Sequence, residues 1–266
     1  MNNKRQQPNT GESILIYGTH AVEQALERRP DTIRTLFVAS HFTNQKLLAK
    51  LRRSSIPLKP LDEKHLVREI GSAVVHQGIA ARIDSRALIL SYQSYIRTTA
   101  VTADSLFLLL AEIQDPQNVG AMIRSAAAFG VQAVMFPSHR QASITGTVVK
   151  VSAGMTFSVP LVEIKNTNST ISDLQQRGCV VYGLAGETGS SIHEQTFSGP
   201  SVLVVGNEGA GLREKTRAAC DTLLSIPMHP RCESLNAAAS VTSALSIWSG
   251  CHQTALNLER RSGTDG

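Results

Sequence analysis

The sequence predicts an α/β protein built around a mainly parallel sheet, and three observations carry that prediction. Short continuous apolar runs recur along the chain, helix-like segments separate them, and the loops after the later runs are dense in glycine, asparagine and small polar residues. Strands buried on both faces of a parallel sheet need such runs and such crossovers. With 266 residues and 42% apolar content the chain is long enough for one large domain or two smaller ones.

Residues 1–12 and 257–266 are polar and aperiodic, so frayed ends are expected there. From Ile14 the pattern runs as an extended Ile14–Tyr17, a helical His20–Arg28, an extended Thr35–Ala39 and a helical Thr43–Arg53. Pro57-Leu58-Lys59-Pro60, a helical Glu63–Ile70 and an extended Gly78–Ile83 complete a first α/β domain over residues 12–84. Ser85–Asp104 shows no clear periodicity and reads as a connector, with a boundary near residue 95. A second domain over residues 105–256 follows, with apolar runs Leu106–Ile113, Ala133–Phe136, Val180–Leu184, Val202–Val205 and Leu223–Ile226.

Composition narrows the function classes. A charged fraction of 18% is low and suggests an oligomer, while a net charge of +5 permits a polyanionic partner. The chain has no apolar run of membrane-spanning length, and Met1–Glu12 lacks the hydrophobic segment of a signal peptide, so a soluble cytoplasmic protein is expected. Cys179, Cys220, Cys232 and Cys251 are far apart, which predicts reduced thiols and no metal.

Ligands of wound α/β sheets collect beyond the carboxyl ends of the strands, and three loops there carry chemistry. In the first, Asp115 and Pro116 read as a helix cap and first turn, followed by helical apolar spacing up to Gly130. Asn118 and Arg124 are six residues apart, about 240° around a helix, so they share no face unless Asn118 is still in the loop. Asn118 at the entrance is therefore expected, with Arg124 on the helix; a structural ion pair is the plain alternative for Arg124. The second loop, Gly206-Asn207-Glu208-Gly209-Ala210-Gly211-Leu212, lacks the dinucleotide-binding spacing, and a tight strand-to-helix turn would also explain its glycines. Its Glu208 suits a cap or an arginine partner. The third, from Ile226 to Asn236, leads into a helix over Ala237–Gly250 that Ser234 or Asn236 would cap.

Together, N-x-G-x-x-x-R-S at Asn118–Ser125, G-N-E-G-x-G-L at Gly206–Leu212 and I-P-M…S-L-N-A-A at Ile226–Ala238 closely resemble the three motifs of the SpoU (TrmH-type) ribose 2′-O-methyltransferases of the SPOUT superfamily. The leading domain, with Tyr17-Gly18 and His76-Gln77-Gly78-Ile79-Ala80, resembles the L30e-like RNA-binding domain of the branch that methylates a guanosine ribose in large-subunit ribosomal RNA. The third loop departs from the pattern by carrying Pro230–Glu233 before Ser234.

The resemblance implies a trefoil-knotted SPOUT domain, S-adenosylmethionine as cofactor, an RNA substrate and a homodimer whose site draws on both subunits. It implies a cofactor site of Gly206, Ile226 and Leu235, with Asn207, Met228 and Ala237 nearby and Leu184, Ala185 and Gly186 as a further wall. It also implies that Arg124 acts on the ribose 2′-hydroxyl, by electrostatic stabilisation or as a base. Glu208 would orient Arg124 or the neighbouring loops, Ser234 and Asn236 would complete the polar constellation, and Asn118 would brace it. Lys4, Arg5, Arg28, Arg29, Lys50, Arg52, Arg53 and Lys59 are candidates for a phosphate-binding surface. Two rival readings are the same chemistry on transfer RNA or another ribosomal site, including a resistance site, and a silent RNA-binding assembly factor.

Overall fold

The computed structural model describes residues 13–71, 75–186 and 190–256. The two chain ends expected to fray lie outside these residues, and so do Lys4 and Arg5. In chain order the elements are β1 (Ser13–Tyr17), α1 (Thr19–Arg28), β2 (Ile33–Val38), α2 (Gln45–Arg53), β3 (Leu58–Pro60), α3 (Glu63–Ile70), β4 (Ile79–Asp84), α4 (Ser85–Leu88), β5 (Ile89–Ser91) and α5 (Tyr92–Thr98). They continue as β6 (Leu106–Leu110), α6 (Pro116–Ala128), β7 (Ala133–Pro137), α7 (Gly146–Val151), β8 (Leu161–Ile164), α8 (Thr167–Gln176), β9 (Val180–Leu184), β10 (Ser190–Ser191), β11 (Ser201–Val205), α9 (Glu214–Ala219), β12 (Thr222–Ser225) and α10 (Ala237–Cys251).

The chain divides into two compact units. The first holds residues up to Ile89 together with Ile144–Phe157, and the second holds Leu90–Ser143 and the chain from Ser158 onward. In the first unit a four-stranded sheet has the order β1-β4-β2-β3, with β4 antiparallel to β1 and β2. Ile16, Leu36, Ile79 and Ile83 bury its core with Leu47 and Leu51 of α2. The segment 144–157 joins this unit by close backbone approach: a Cβ on Gly146 would lie 2.1 Å from the Leu15 carbonyl oxygen. Only glycine fits there.

The second unit is an eight-stranded sheet of order β10-β12-β9-β11-β6-β7-β8-β5. Pairing is parallel from β10 through β8. Every residue of β6 and β11 is buried, as continuous apolar runs demand. Strand β8 was not among the expected runs, because the exposed Glu163 interrupts its apolar character.

The stretch 85–104, read from sequence as a connector, contains α4, β5 and α5. Ser91 caps α5, and Tyr92, Tyr95 and Ile96 enter the hydrophobic core. Intervening polar residues hide this i, i+3, i+4 spacing. The Tyr95 hydroxyl donates to the Gln132 carbonyl at 3.0 Å, so the buried phenol is satisfied.

This topology sets the strands β12, β9, β11 and β6 side by side, so the segments after them emerge along one sheet edge. Ala185 N donates to Leu224 O at 3.0 Å, and Ala111 N donates to Val205 O at 2.7 Å, which ties these ends together.

Candidate active site

Helix α6 begins as expected, with Asp115 accepting from Gln117 N at 2.8 Å and Pro116 in the first turn. Asn118 is buried and already helical, not in the preceding loop. Arg124 therefore lies about 9 Å further along the same helix and on another face. It is exposed, with no hydrogen bond or ion pair among the described residues.

Glu208 is the centre of a hydrogen-bonded chain. Its Oε1 accepts from Asn118 Nδ2 at 3.0 Å and from Asp115 N at 3.3 Å, and its Oε2 accepts from Gln114 N at 3.4 Å. Asn118 Oδ1 in turn accepts from Asn236 Nδ2 at 2.9 Å. Asn236 caps α10 with its other atom, Oδ1, which accepts from Ala238 N at 2.8 Å and Ala239 N at 3.3 Å. All three motif loops are thus linked through Glu208, Asn118 and Asn236. Partial burial pushes the Glu208 carboxyl pKa up, but hydrogen bonds from Asn118 and from the amides of Glu208, Asp115 and Gln114 outweigh it. The group therefore sits below its ordinary value of 4.5. Arg124 takes no part in this hydrogen-bonded network, which joins Glu208 to the loops around it among the described residues.

The second loop organises itself. Asn207 Oδ1 accepts from Gly209 N at 3.0 Å and Ala210 N at 3.1 Å, while Nδ2 donates to the Glu112 carbonyl at 3.0 Å. A Cβ on Gly206 would lie 2.3 Å from the carbonyl carbon of Gly211, and Gly211 has φ of +65°. These two glycines therefore have a structural cause in the turn itself. Two participants carried no motif signal: Glu112, in the left-handed region at φ +69°, and Arg213, which pairs with it at 2.8 Å. A charged pair 101 residues apart in sequence leaves no local pattern to read.

Leu184 ends β9 with Ala185 and Gly186 after it, and Gly206 and Ile226 follow the adjacent strands β11 and β12. From Ile226 the third loop must cross three strand spacings, about 14 Å, to bring Asn236 to Asn118 beyond β6. Along it, Leu235 is 38% exposed, Met228 and Ala237 are half-buried, and Ser234 offers a hydroxyl with no partner among the described residues. The backbone groups of the buried Gly206, and those of Ile226 and Leu235, take no hydrogen-bond partner among the described residues. The buried Gly206 backbone needs a partner and the Ile226 and Leu235 backbones lie within reach of one, so this edge fits a ligand recognised through main-chain atoms, as an adenosyl and methionyl group would be. His229 and His76 both serve turns, their Nδ1 atoms accepting from Arg231 N at 3.2 Å and Gly78 N at 3.1 Å.

Of the basic candidates, Lys50 pairs with Glu23 and Glu27, and Arg29 with Asp31. Arg28, Arg52, Arg53 and Lys59 are exposed. Among the described residues no cluster of His, Cys, Asp and Glu is arranged to hold a metal, and no helix is long and apolar enough to cross a membrane.

Residues 105–246 match the SpoU rRNA Methylase family, and residues 15–88 match the family described as RNA 2′-O ribose methyltransferase substrate binding. The 23S rRNA (guanosine-2′-O-)-methyltransferase RlmB of Xanthomonas campestris is 36% identical over 241 residues, covering 90% of this chain and 96% of that protein. The RlmB of Escherichia coli K12 is 35% identical over 245 residues, covering 91% and 99%. Among solved structures, the SpoU methyltransferase AviRb from Streptomyces viridochromogenes in complex with AdoMet aligns with a TM-score of 0.80 at 25% identity, covering 95% of each chain.

Proposed function

Because the chain belongs to the SpoU rRNA methylase family and is an S-adenosylmethionine-dependent RNA ribose 2′-O-methyltransferase, we propose that its substrate is a guanosine ribose of 23S ribosomal RNA. The observation that carries this reading is the end-to-end similarity to RlmB proteins in both units. We assign the cofactor cradle to Gly206, Ile226 and Leu235, with Asn207, Met228 and Ala237 beside them and Leu184, Ala185 and Gly186 as the wall. When bound, S-adenosylmethionine supplies an activated methyl group on a sulfonium.

This chain's residues do the rest. A neutral hydroxyl is a poor nucleophile, so the site must align the 2′-oxygen and favour loss of its proton. Arg124 is a fixed cation suited to an RNA phosphate and to the charge that develops on the oxygen. Glu208, Asn118 and Asn236 hold the three loops in register, and Ser234 presents its free hydroxyl at the rim.

The protein works as a cytoplasmic homodimer in this reading. The separation of Arg124 along α6 from Asn118, which bonds Glu208, supports a site completed by a second subunit, as does the run of small residues on α10. Sedimentation tests the dimer, with a single-subunit mass as the outcome that removes it. The strand order, with β12 outside β9 and α10 returning to α6, is compatible with a knotted crossing.

The test of function is labelled-methyl transfer to protein-free total RNA from a strain lacking the gene, followed by mapping of the modified nucleotide. Incorporation at one guanosine 2′-oxygen of 23S rRNA is expected. Incorporation into transfer RNA alone would overturn the substrate, and none at all would overturn the activity.

A further inference from the structure

The first unit contains a cavity of about 550 Å³ that the cofactor edge of the second unit does not use. It lies where three helices begin. Thr19 opens α1, Asn44 caps α2, and Glu63 opens α3. Its wall carries aromatic rings: Phe42 and His41 approach Gly78 so closely that a Cβ there would lie 3.5 Å from Phe42 Cδ2 and 3.3 Å from His41 Nε2. Gly78 has φ of +73°, a left-handed backbone conformation that favours glycine.

The polar groups are only partly used. Gln77 Oε1 accepts from Thr19 N and Thr19 Oγ1, both at 2.8 Å, which leaves its amide NH2 available. Asn44 Oδ1 caps α2 by accepting from Leu47 N at 3.0 Å, and its amide NH2 is likewise available. The Glu63 carboxylate lies 3.4 Å from His41 Nδ1 and retains acceptor capacity toward the cavity. The exposed Lys46 and Lys64 stand in the first turns of α2 and α3.

We propose that this cavity is a nucleobase subsite, taking one unstacked base of the RNA at a position other than the methylated ribose. The inference rests on the RNA-substrate reading above. The rings of Phe42 and His41, the amide donors of Gln77 and Asn44 with the Glu63 carboxylate as acceptor, and the flanking Lys46 and Lys64 match a base with its adjoining phosphates. A carboxylate acceptor favours a base edge rich in N–H donors, as guanine presents. Stacking on Phe42 supplies affinity, and Glu63 supplies choice of base.

The test is equilibrium binding of the full chain to protein-free 23S rRNA and to a perfect RNA duplex, without cofactor, for wild type, Phe42→Leu and Glu63→Gln. Both variants are expected to lose about tenfold in affinity for 23S rRNA, to bind the duplex as wild type does, and to keep the salt dependence unchanged. Cofactor calorimetry on the same samples verifies that the variants remain folded. Wild-type affinity for 23S rRNA in both variants overturns the subsite. Equal losses on 23S rRNA and duplex also overturn it, because they indicate backbone contact alone. If wild type binds 23S rRNA but transfers no methyl group, the enzyme reading fails while the binding comparison still decides the subsite.

Discussion

Two parts of the candidate site treat their polar side chains in opposite ways. In the chain Glu208–Asn118–Asn236 each side chain has partners within the protein: the carboxylate accepts from four groups, Asn207 Nδ2 among them, and both amides bridge loops. Arg124 and Ser234, from the same motifs, are exposed and unpaired among the described residues. Groups already satisfied by the fold position others, whereas groups left unsatisfied are available to RNA or cofactor. In the function proposed above, the motif residues therefore separate into a paired frame and an unpaired working pair, a division that the motifs alone do not show.

The sharpest way to break this division is Arg124→Ala. An unpaired guanidinium contributes little to the fold, so thermal stability should stay within about 0.5 kcal/mol of wild type. Loss of transition-state stabilisation should lower turnover by roughly 10²-fold or more. Labelled-methyl assays and cofactor calorimetry read the two sides, and cofactor affinity should be unchanged. Unchanged turnover would remove Arg124 from the working pair.

Glu208→Ala should behave in the reverse sense, damaging the frame first. It leaves the buried Asn118 amide and two loop amides without their acceptor, a cost of about 1–3 kcal/mol. Denaturant unfolding measures it, and cofactor affinity should fall with stability. Acid supplies a second handle. A carboxyl held below its ordinary value of 4.5 stabilises the fold above the unfolded-chain pKa, and that contribution is lost as pH falls through the folded value. Glu208→Gln should therefore flatten the stability profile below about pH 4.5 and leave its slope near neutrality unchanged. An acid limb as steep as wild type would show that Glu208 carries no linkage.

Much of this was legible in the sequence, and the exceptions have physical causes. The capping of α6 by Asp115 and of α10 by Asn236 follows from local chemistry, so spacing alone located both helices. Continuous apolar runs located β6, β7, β9, β11 and β12, whereas β8 was hidden by Glu163 and α5 by the serines and threonines around Tyr92, Tyr95 and Ile96. The six-residue spacing to Arg124 placed Asn118 in the loop, where the two could share a face, yet its bond to Glu208 requires no such face. Partnerships such as Glu112 with Arg213 depend on strand order, which no local window contains.

Asn236 tests the junction within the frame, because it performs two tasks with two atoms. Asn236→Ala removes both the α10 cap and the bond to Asn118, and should cost about 1 kcal/mol or slightly more. Asn236→Asp keeps an acceptor for Ala238 N and Ala239 N but places oxygen against Asn118 Oδ1, which breaks only the bridge. The aspartate variant should therefore recover most of the lost stability without recovering turnover. Recovery of both would mean that capping alone matters and that the link between the loops is incidental.

The smallest effect belongs to Ser234→Ala, and its size gives it discriminating power. Ser234 is exposed and its hydroxyl has no partner among the described residues, so unfolding free energy should move by less than about 0.5 kcal/mol. If the hydroxyl meets RNA or cofactor during the reaction, one ordinary hydrogen bond predicts a fall in kcat/KM of roughly three- to tenfold. Kinetics with each substrate varied in turn assigns the loss: a rise in KM for RNA alone places the serine on the nucleic acid, and a rise for the cofactor alone places it on the sulfonium donor. A variant that loses stability as readily as Asn236→Ala would instead move Ser234 into the frame.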